Sequence, residues 1–496
     1  MNLLSDLQSH SEFLGEGSYG CVYHPGIDCK GKKNTKKTVT KIQEINFFST
    51  NEKNIGLYIK KKFKNFKNHV SPIIKACIVS FDIIEKSNLN LKKCNTLFED
   101  YNTSIANVLK YNDYDSDSDN DTNSDNYTYD TFHKNIHNKY FLMYSYYIKN
   151  KSLKDYYNIH IDITSNSTSN SSSNSSSNVN YVNYVISVLN NFAFLLTTLI
   201  LLNKHKIIHN DLHIHNILIN LKTNKPIIID FGLSFFITKC YESNKTTIDF
   251  DYLNEFLFDF RFDYYHVNIE KRFLCFILYN KNETFTSIVN TNEAANLLTI
   301  DNIDLFINDA YDSIVNNREI TEFFNSNELI EYKKALQEFY YQFYNKIDYP
   351  TYSSIVKYLL DFVYAYTDLY SLTIDFLYIY YNSSIFLEKN SIDETKNIKI
   401  FLEFFIQLYK KVLYPNPNMR LKLDEVYNIY MFIIIYIKNI NINNTTNYIA
   451  DFIIAFTKFL KSKSISIEVV FNKNFAFLNF NLLCNKTMFE FIKLHI

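Results

Sequence analysis

Residues 207–232 read IIHNDLHIHNILINLKTNKPIIIDFG, and the polar run His209-Asn210-Asp211-Leu212-His213-Ile214-His215-Asn216 within them decides the reading of the chain. Before it, Val188, Phe192, Leu195, Leu199 and Leu202 recur at helical spacing and predict a long apolar helix. After it, two β-prone runs, 217–219 and 227–229, flank the turn Lys222-Thr223-Asn224. Asp211 and Asn216 stand five apart in a loop, which suits a base and a metal ligand facing one pocket. Asp230-Phe231-Gly232 follows the second run, and an Asp at a strand end beside a glycine turn suits a metal–phosphate contact. The plainer reading is a polar turn in an asparagine-rich protein. The histidines also raise a metal site, but no cluster of acidic ligands accompanies them.

A second motif lies near the start: Gly15-Glu16-Gly17-Ser18-Tyr19-Gly20-Cys21-Val22, between two short β-prone runs. Average usage would put roughly 35 glycines in a chain of this length. This chain of 496 residues has seven, and three of them fall in that GxGxxG. Such a strand–turn–strand flap lets backbone approach a phosphate where side chains would block it. The plainer reading is an ordinary glycine hairpin.

Composition narrows the classes. Hydrophobic residues make up 47%, enough for a large core. A net charge of −1 argues against a general nucleic-acid binder. Seven scattered cysteines without a CxxC pair predict neither a zinc site nor a disulfide scaffold. The opening MNLLSDLQSH does not read as a signal peptide, and the apolar stretches 192–202 and 431–437 read as too short to span a bilayer. The expectation is a cytoplasmic protein of a reducing compartment, without nucleic-acid or membrane partners. Residues 113–130 are acidic and 164–178 are Ser/Asn-rich; both read as disordered insertions, the second placed at about 162–180. Short strands are expected at 13–14, 21–23, 38–42 and 139–147, and at 467–471 (IEVVF) late in an otherwise helical half. Glu52, Ile55, Ile59, Phe63 and Phe66 predict one face of a helix.

The order GxGxxGxV, strand lysine, HxDxxxxN and DFG resembles the signature set of eukaryotic-type serine/threonine protein kinases. The glycine-flap region is most similar to the kinase-like proteins of large DNA viruses. The resemblance implies an α+β, bilobal protein-kinase-like fold, with a β-rich N-lobe (1–145) and a helical C-lobe (146–438). An insertion at about 271–350 and an extension at 439–496 would be added to it. It implies ATP and Mg2+ as ligands and a protein substrate whose Ser/Thr hydroxyl receives the γ-phosphate. Residue by residue, Leu14, Gly15, Glu16, Gly17, Ser18, Tyr19, Gly20, Cys21 and Val22 match the nucleotide flap. Lys41 matches the phosphate-binding lysine and Glu52 its helix partner, with Glu44 as runner-up. Met143 resembles the gatekeeper, and 144–147, starting at Tyr144, the hinge. Asp211 matches the catalytic base, and Asn216 and Asp230 match the metal ligands.

Two further matches lie downstream. Thr367-Asp368-Leu369-Tyr370-Ser371-Leu372 resembles the helix whose aspartate braces the catalytic loop. Pro417-Asn418-Met419-Arg420 resembles an element whose arginine pairs with a glutamate, for which Glu270 is the candidate. The chain departs from the family at Asn210, where an arginine is usual, and at His213, where lysine is usual; His213 could still help neutralise the transferred phosphate. DLHxxN also occurs in aminoglycoside- and choline-kinase-like enzymes. A small-molecule phosphotransferase and a catalytically weak scaffold therefore stand as alternatives.

Overall fold

The computed structural model describes residues 11–17, 20–87, 89–96, 139–157, 174–242, 247–257, 266–279, 299–346, 352–389, 393–439 and 448–471. The acidic run 113–130, the flap residues Ser18 and Tyr19, and most of the Ser/Asn run lie outside them. The chain is mixed α+β, with a β-sheet N-terminal region and a helical C-terminal region. It divides into two compact units: Met1–Asn150 with Ile227–Ser234, and Lys151–Pro226 with Phe235–Ile496. The eight residues 227–234 thus belong with the first unit, although the chain on both sides of them belongs to the second.

In the first unit the strands are β1 (Glu12–Gly17), β2 (Gly20–His24), β3 (Thr38–Glu44), β4 (Lys75–Ser80) and β5 (Lys139–Tyr146). They form one antiparallel sheet in the order β1-β2-β3-β5-β4. Lys41 sits between Val22 on one side and Met143 on the other. Helix α1 (Phe47–Lys62) opens on a reciprocal cap: Asn46 Oδ1 accepts the Ser49 N–H, and Ser49 Oγ accepts the Asn46 N–H. Its buried face is Ser49, Glu52, Ile55, Gly56 and Ile59. A Cβ at Gly56 would lie 2.5 Å from the Ile73 carbonyl, so only glycine lets the helix approach there. The helix ends sooner than the apolar spacing suggests. Phe63 is its extended C-cap, and Phe66 belongs to a separate 3-10 turn after Asn65 (φ +56°). Helix α2 (Phe81–Glu85) follows β4.

Two disulfides cross-link this unit, Cys21–Cys94 and Cys29–Cys77, with Cα atoms 5.9 and 6.1 Å apart. They overturn the expectation of no disulfides, because the pairs lie 73 and 48 residues apart and only the folded sheet brings them together. The inference of a reducing compartment loses that support.

The second unit begins with β6 (Asn150–Ser152) and α3 (Asn174–Lys204). Helix α3 extends into the Ser/Asn run, so 174–178 are helical and not an irregular insertion. Once a helix is nucleated, adding residues costs little. Its segment Ile186–Lys204 is, among the described residues, long and apolar enough to cross a membrane, which corrects the shorter estimate. The polar pair Asn190–Asn191 does not interrupt it, since Asn191 is buried and donates to the Tyr157 hydroxyl (2.8 Å). Half of that segment is buried in protein. Phe192 packs on Phe376, Tyr409 and Tyr430 at centroid distances of 4.9, 4.7 and 5.4 Å.

Next come β7 (Ile207–Ile208), β8 (Ile217–Asn220), β9 (Lys225–Ile228), whose last two residues belong with the first unit, and β10 (Phe235–Phe236), with β7 and β10 paired antiparallel. The helices that follow are α4 (Phe250–Leu257), α5 (Ile269–Tyr279), α6 (Ile300–Val315), α7 (Arg318–Thr321), α8 (Ser326–Lys346), α9 (Tyr352–Lys389), α10 (Asp393–Val412), α11 (Leu423–Asn439), α12 (Tyr448–Ser462) and α13 (Ile467–Phe471). The strand expected at 467–471 is therefore a helical turn. Ser466 starts it by accepting the Val469 and Val470 N–H groups, whereas a lone strand would leave its ladder groups unpaired. The region expected as an insertion, 271–350, contributes an aromatic core in which Phe273, Phe306 and Tyr340 lie 4.6–5.1 Å apart.

Closing a loop of 73 residues with a disulfide is worth about 4 kcal/mol on a chain-entropy account. Reduction, or Cys94→Ser, is therefore expected to lower the denaturation midpoint of the sheet unit and to leave the helical unit in place. Amide exchange read unit by unit during a denaturant series checks this; identical midpoints with and without reductant would remove the cross-links from the stability of the sheet.

Candidate active site

In the first unit, β3, α1 and the 227–234 segment converge on three charged side chains. Lys41 Nζ donates to Glu52 Oε2 at 2.8 Å and lies 3.4 Å from both Asp230 oxygens. Strand alternation turns Lys41 to this side, and the buried face of α1 supplies Glu52. Burial works against the Lys41 charge, but Asp230 and Glu52 outweigh it and raise the ammonium above its ordinary range. Burial pushes the Glu52 carboxyl up to about 7, against Lys41 and reinforced by Asp230. Glu44, the runner-up, lies at the end of β3 opposite Tyr140.

Asp230 takes a left-handed backbone (φ +60°), and its Oδ1 accepts the Gly232 N–H at 3.3 Å. Asn51, beside Glu52 on α1, donates from its side-chain amide to the carbonyls of Gly232 and Ser234 at 3.0 and 2.6 Å. No sequence signal marks that role for Asn51, because an asparagine in a helix is usually a solvent-facing residue.

The glycine flap is the β1–β2 hairpin, in register Gly15↔Val22, Glu16↔Cys21 and Gly17↔Gly20, with an irregularity at Leu14. Of its glycines, Gly20 is the one that sterics demand: a Cβ there would stand 2.2 Å from the Ile42 carbonyl. A Cβ at Gly15 would meet nothing within 4 Å, so the space above it is open. Glu16 accepts from the backbone and side chain of Thr96, and these bonds hold its carboxyl below the usual range. Met143 is buried beside Ile73 and Phe141. Tyr144 pairs with Thr40 and Lys75 inside the sheet, and its carbonyl accepts the Ile74 N–H at 2.7 Å. That carbonyl is thereby committed to the sheet.

In the second unit, the 209–216 loop is fixed from α9. Asp368 accepts the His209 N–H on Oδ2 and the Asn210 N–H on Oδ1, both at 2.8 Å. Burial raises the Asp368 carboxyl, opposed by His209, these two N–H bonds and Lys271. Asn210 is left-handed (φ +67°). Asn216 closes the loop, donating from Nδ2 to the Asp211 carbonyl (2.8 Å) and to Asp211 Oδ2 (3.1 Å), while its N–H reaches the His213 carbonyl. The His215 N–H donates to His213 Nδ1 (3.2 Å). His213 Nε2 lies 3.1 Å from Asn216 Nδ2 and 3.8 Å from Asp211 Oδ2.

Two more residues on α9 face the same region, at positions three and seven after Asp368. Ser371 Oγ donates to the His266 carbonyl (2.8 Å), and the buried Asp375 lies 3.6 Å from His266 Nδ1. Burial drives Asp375 well above the carboxylate range and His266 down to about 4. Sequence reading missed Asp375, although its spacing from Asp368, two helical turns, was a usable signal. Farther along, Arg420 and Glu270 meet in a bidentate pair of 2.9 and 3.0 Å, both side chains inaccessible to water. The carbonyls of Tyr414 and Pro415 take further Arg420 donors, and its guanidinium lies over the Tyr366 ring.

The residues singled out in the sequence therefore gather into two sets. Lys41, Glu52 and Asp230 form one; Asp211, His213, Asn216 and Asp368 form the other. No family model matches the chain, and no curated protein matches it.

Removing one partner of a buried pair leaves a bare charge, at a cost of about 3–5 kcal/mol. Glu270→Ala is expected to lose that much stability in urea titrations followed by circular dichroism. A Glu270→Leu/Arg420→Leu double variant should lose less than the two single changes summed. Additive losses would show that the pair contributes no coupling.

Proposed function

We propose that the protein is an ATP-dependent phosphotransferase of the protein-kinase class, acting on Ser/Thr hydroxyls of a protein substrate. On this reading the sheet unit and the helical unit correspond to the two lobes of that fold. The observation that carries it is the Lys41–Glu52 contact of 2.8 Å with Asp230 at 3.4 Å. A fixed cation between two carboxylates beside a glycine hairpin is an arrangement for holding phosphate oxygens.

The side-chain chemistry fits the implied metal in each unit taken by itself. Asp230 is about one-third exposed and offers carboxylate oxygens, and Asn216 in the other unit offers an amide oxygen, both hard ligands suited to Mg2+. Mg2+ would supply neutralisation of phosphate charge. Asp211 orients the acceptor hydroxyl and takes its proton. Asn216 Nδ2, bonded to Asp211, holds the carboxylate in one rotamer. His213 stands beside Asp211, its Nε2 3.8 Å from Oδ2, where a ring cation would help neutralise the transferred phosphate. The hydroxyl of a small molecule is a second acceptor, favoured by the DLHIHN pattern.

Purified protein with Mg-ATP is expected to label Ser/Thr peptides. Asp211→Asn should lower kcat by roughly 10²–10⁴-fold, the usual range for a general base, with ATP affinity retained. Wild-type rates from Asp211→Asn would overturn the assignment. Labelling of amino alcohols in place of peptides would favour the second acceptor, and ATP binding without transfer would leave a scaffold.

A further inference from the structure

Lys271, one residue after Glu270, is completely buried, and its ammonium donates to Asn210 Oδ1 at 2.7 Å. A buried ammonium is costly, and an apolar side chain at that place would avoid the cost. What it touches is the residue that immediately precedes Asp211. Asn210 holds a left-handed backbone, a conformation that non-glycine residues keep only when their surroundings impose it. Three elements impose it here. Asp368 on α9 takes the Asn210 N–H, the Phe256 carbonyl on α4 takes its Nδ2 (3.1 Å), and Lys271 on α5 gives a proton to its Oδ1. An ammonium has donors only, so the approach of the charged lysine fixes the Asn210 amide with oxygen toward α5 and nitrogen toward Phe256.

We propose that Lys271 is a positioning residue for the 209–216 loop. Its charge on the Asn210 amide sets the backbone that presents Asp211, and loss of that charge loosens the loop. The link to catalysis rests on the reading of Asp211 as base; the link to loop order does not.

The surroundings make the charge responsive. Burial pulls the ammonium down to about 7, while the Cys275 thiol one turn along α5, Asp211 and Asp368 pull it up. Because the ammonium is depressed, Lys271 is charged below that value and loses its proton as pH rises through it. The α5 end is itself anchored, since the Lys271 N–H donates to Asn268 Oδ1 and Glu270 is tied to Arg420. Lys271 therefore reports to Asp211 from a fixed point.

Hydrogen exchange of peptides covering 207–217, corrected for intrinsic rates, tests this from pH 6 to 8.5. Wild type should lose protection several-fold as pH rises. Lys271→Arg, whose guanidinium stays charged, should keep it flat. Lys271→Met should be poorly protected throughout, with circular dichroism confirming that each variant is folded. The histidines of the loop are present in all three proteins, so a pH response that survives in Lys271→Arg belongs to them and overturns the proposal. Full protection in Lys271→Met also overturns it. If Lys271→Met does not fold, wild type and Lys271→Arg decide alone. In turnover, the fall in kcat above pH 7 should vanish in Lys271→Arg with KM for ATP unchanged. Absence of turnover from wild type would count against the phosphotransferase reading and leave the exchange result standing.

Discussion

The Asp368 carboxylate, buried in α9 and accepting two successive backbone N–H groups at 2.8 Å, is the constraint on which the second site depends. One carboxylate, with one oxygen for each donor, can take the N–H groups of His209 and Asn210 together only if the chain turns sharply between them. That turn leaves Asn210 left-handed and sends Asp211 away from the helix that holds its neighbours. The remaining loop bonds follow locally: Asn216 reaches back over five residues to Asp211, and His215 to His213. Burial disfavours the charge that makes these bonds strong, so α9 gives up stability to hold a loop in shape. One and two turns along, Ser371 and Asp375 face the His266 segment instead, Ser371 Oγ donating to its carbonyl and Asp375 standing near its ring.

The first site solves the opposite problem, which is to hold a cation and not a backbone. Lys41 is fixed in register by β2 and β5 and meets Glu52 from α1. Asn51 and Glu52 are adjacent on that helix and point about 100° apart, as helical geometry requires. One seizes the carbonyls at 232 and 234, the other the lysine. A single helix position thus sets both the cation and the loop that bears Asp230. Gly56, on the same helix, lets it approach the Ile73 backbone closely enough for this to happen.

Much of this was legible before any coordinates. Scarce glycine and arginine made Gly20 and Arg420 stand out, and both turn out to be sterically or electrostatically required. The strands around Lys41 and the helix before His209 followed from periodicity. What stayed hidden is long-range. Cys21 finds Cys94 only through the sheet, Lys271 finds Asn210 across 61 positions, and neither pattern is local. IEVVF at 467–471 misled because β-branched residues signal a strand only where a partner strand exists; Ser466 offered a helical start instead. Gly15 differs from Gly20, since among the described residues nothing within 4 Å would meet a side chain there.

The substitution at 210 ties the two kinds of information together. In the family that the motifs resemble, the residue before the aspartate is a cation on the loop itself. Here that position is a neutral amide, and a cation arrives from α5 to sit on it. The positive charge beside Asp211 and Asp368 comes from α5, an element anchored through Glu270 to Arg420. An arginine on the loop would keep its charge at every accessible pH; a buried lysine does not. The positioning role proposed for Lys271 therefore hangs on one proton, held in a site where burial and two carboxylates oppose each other.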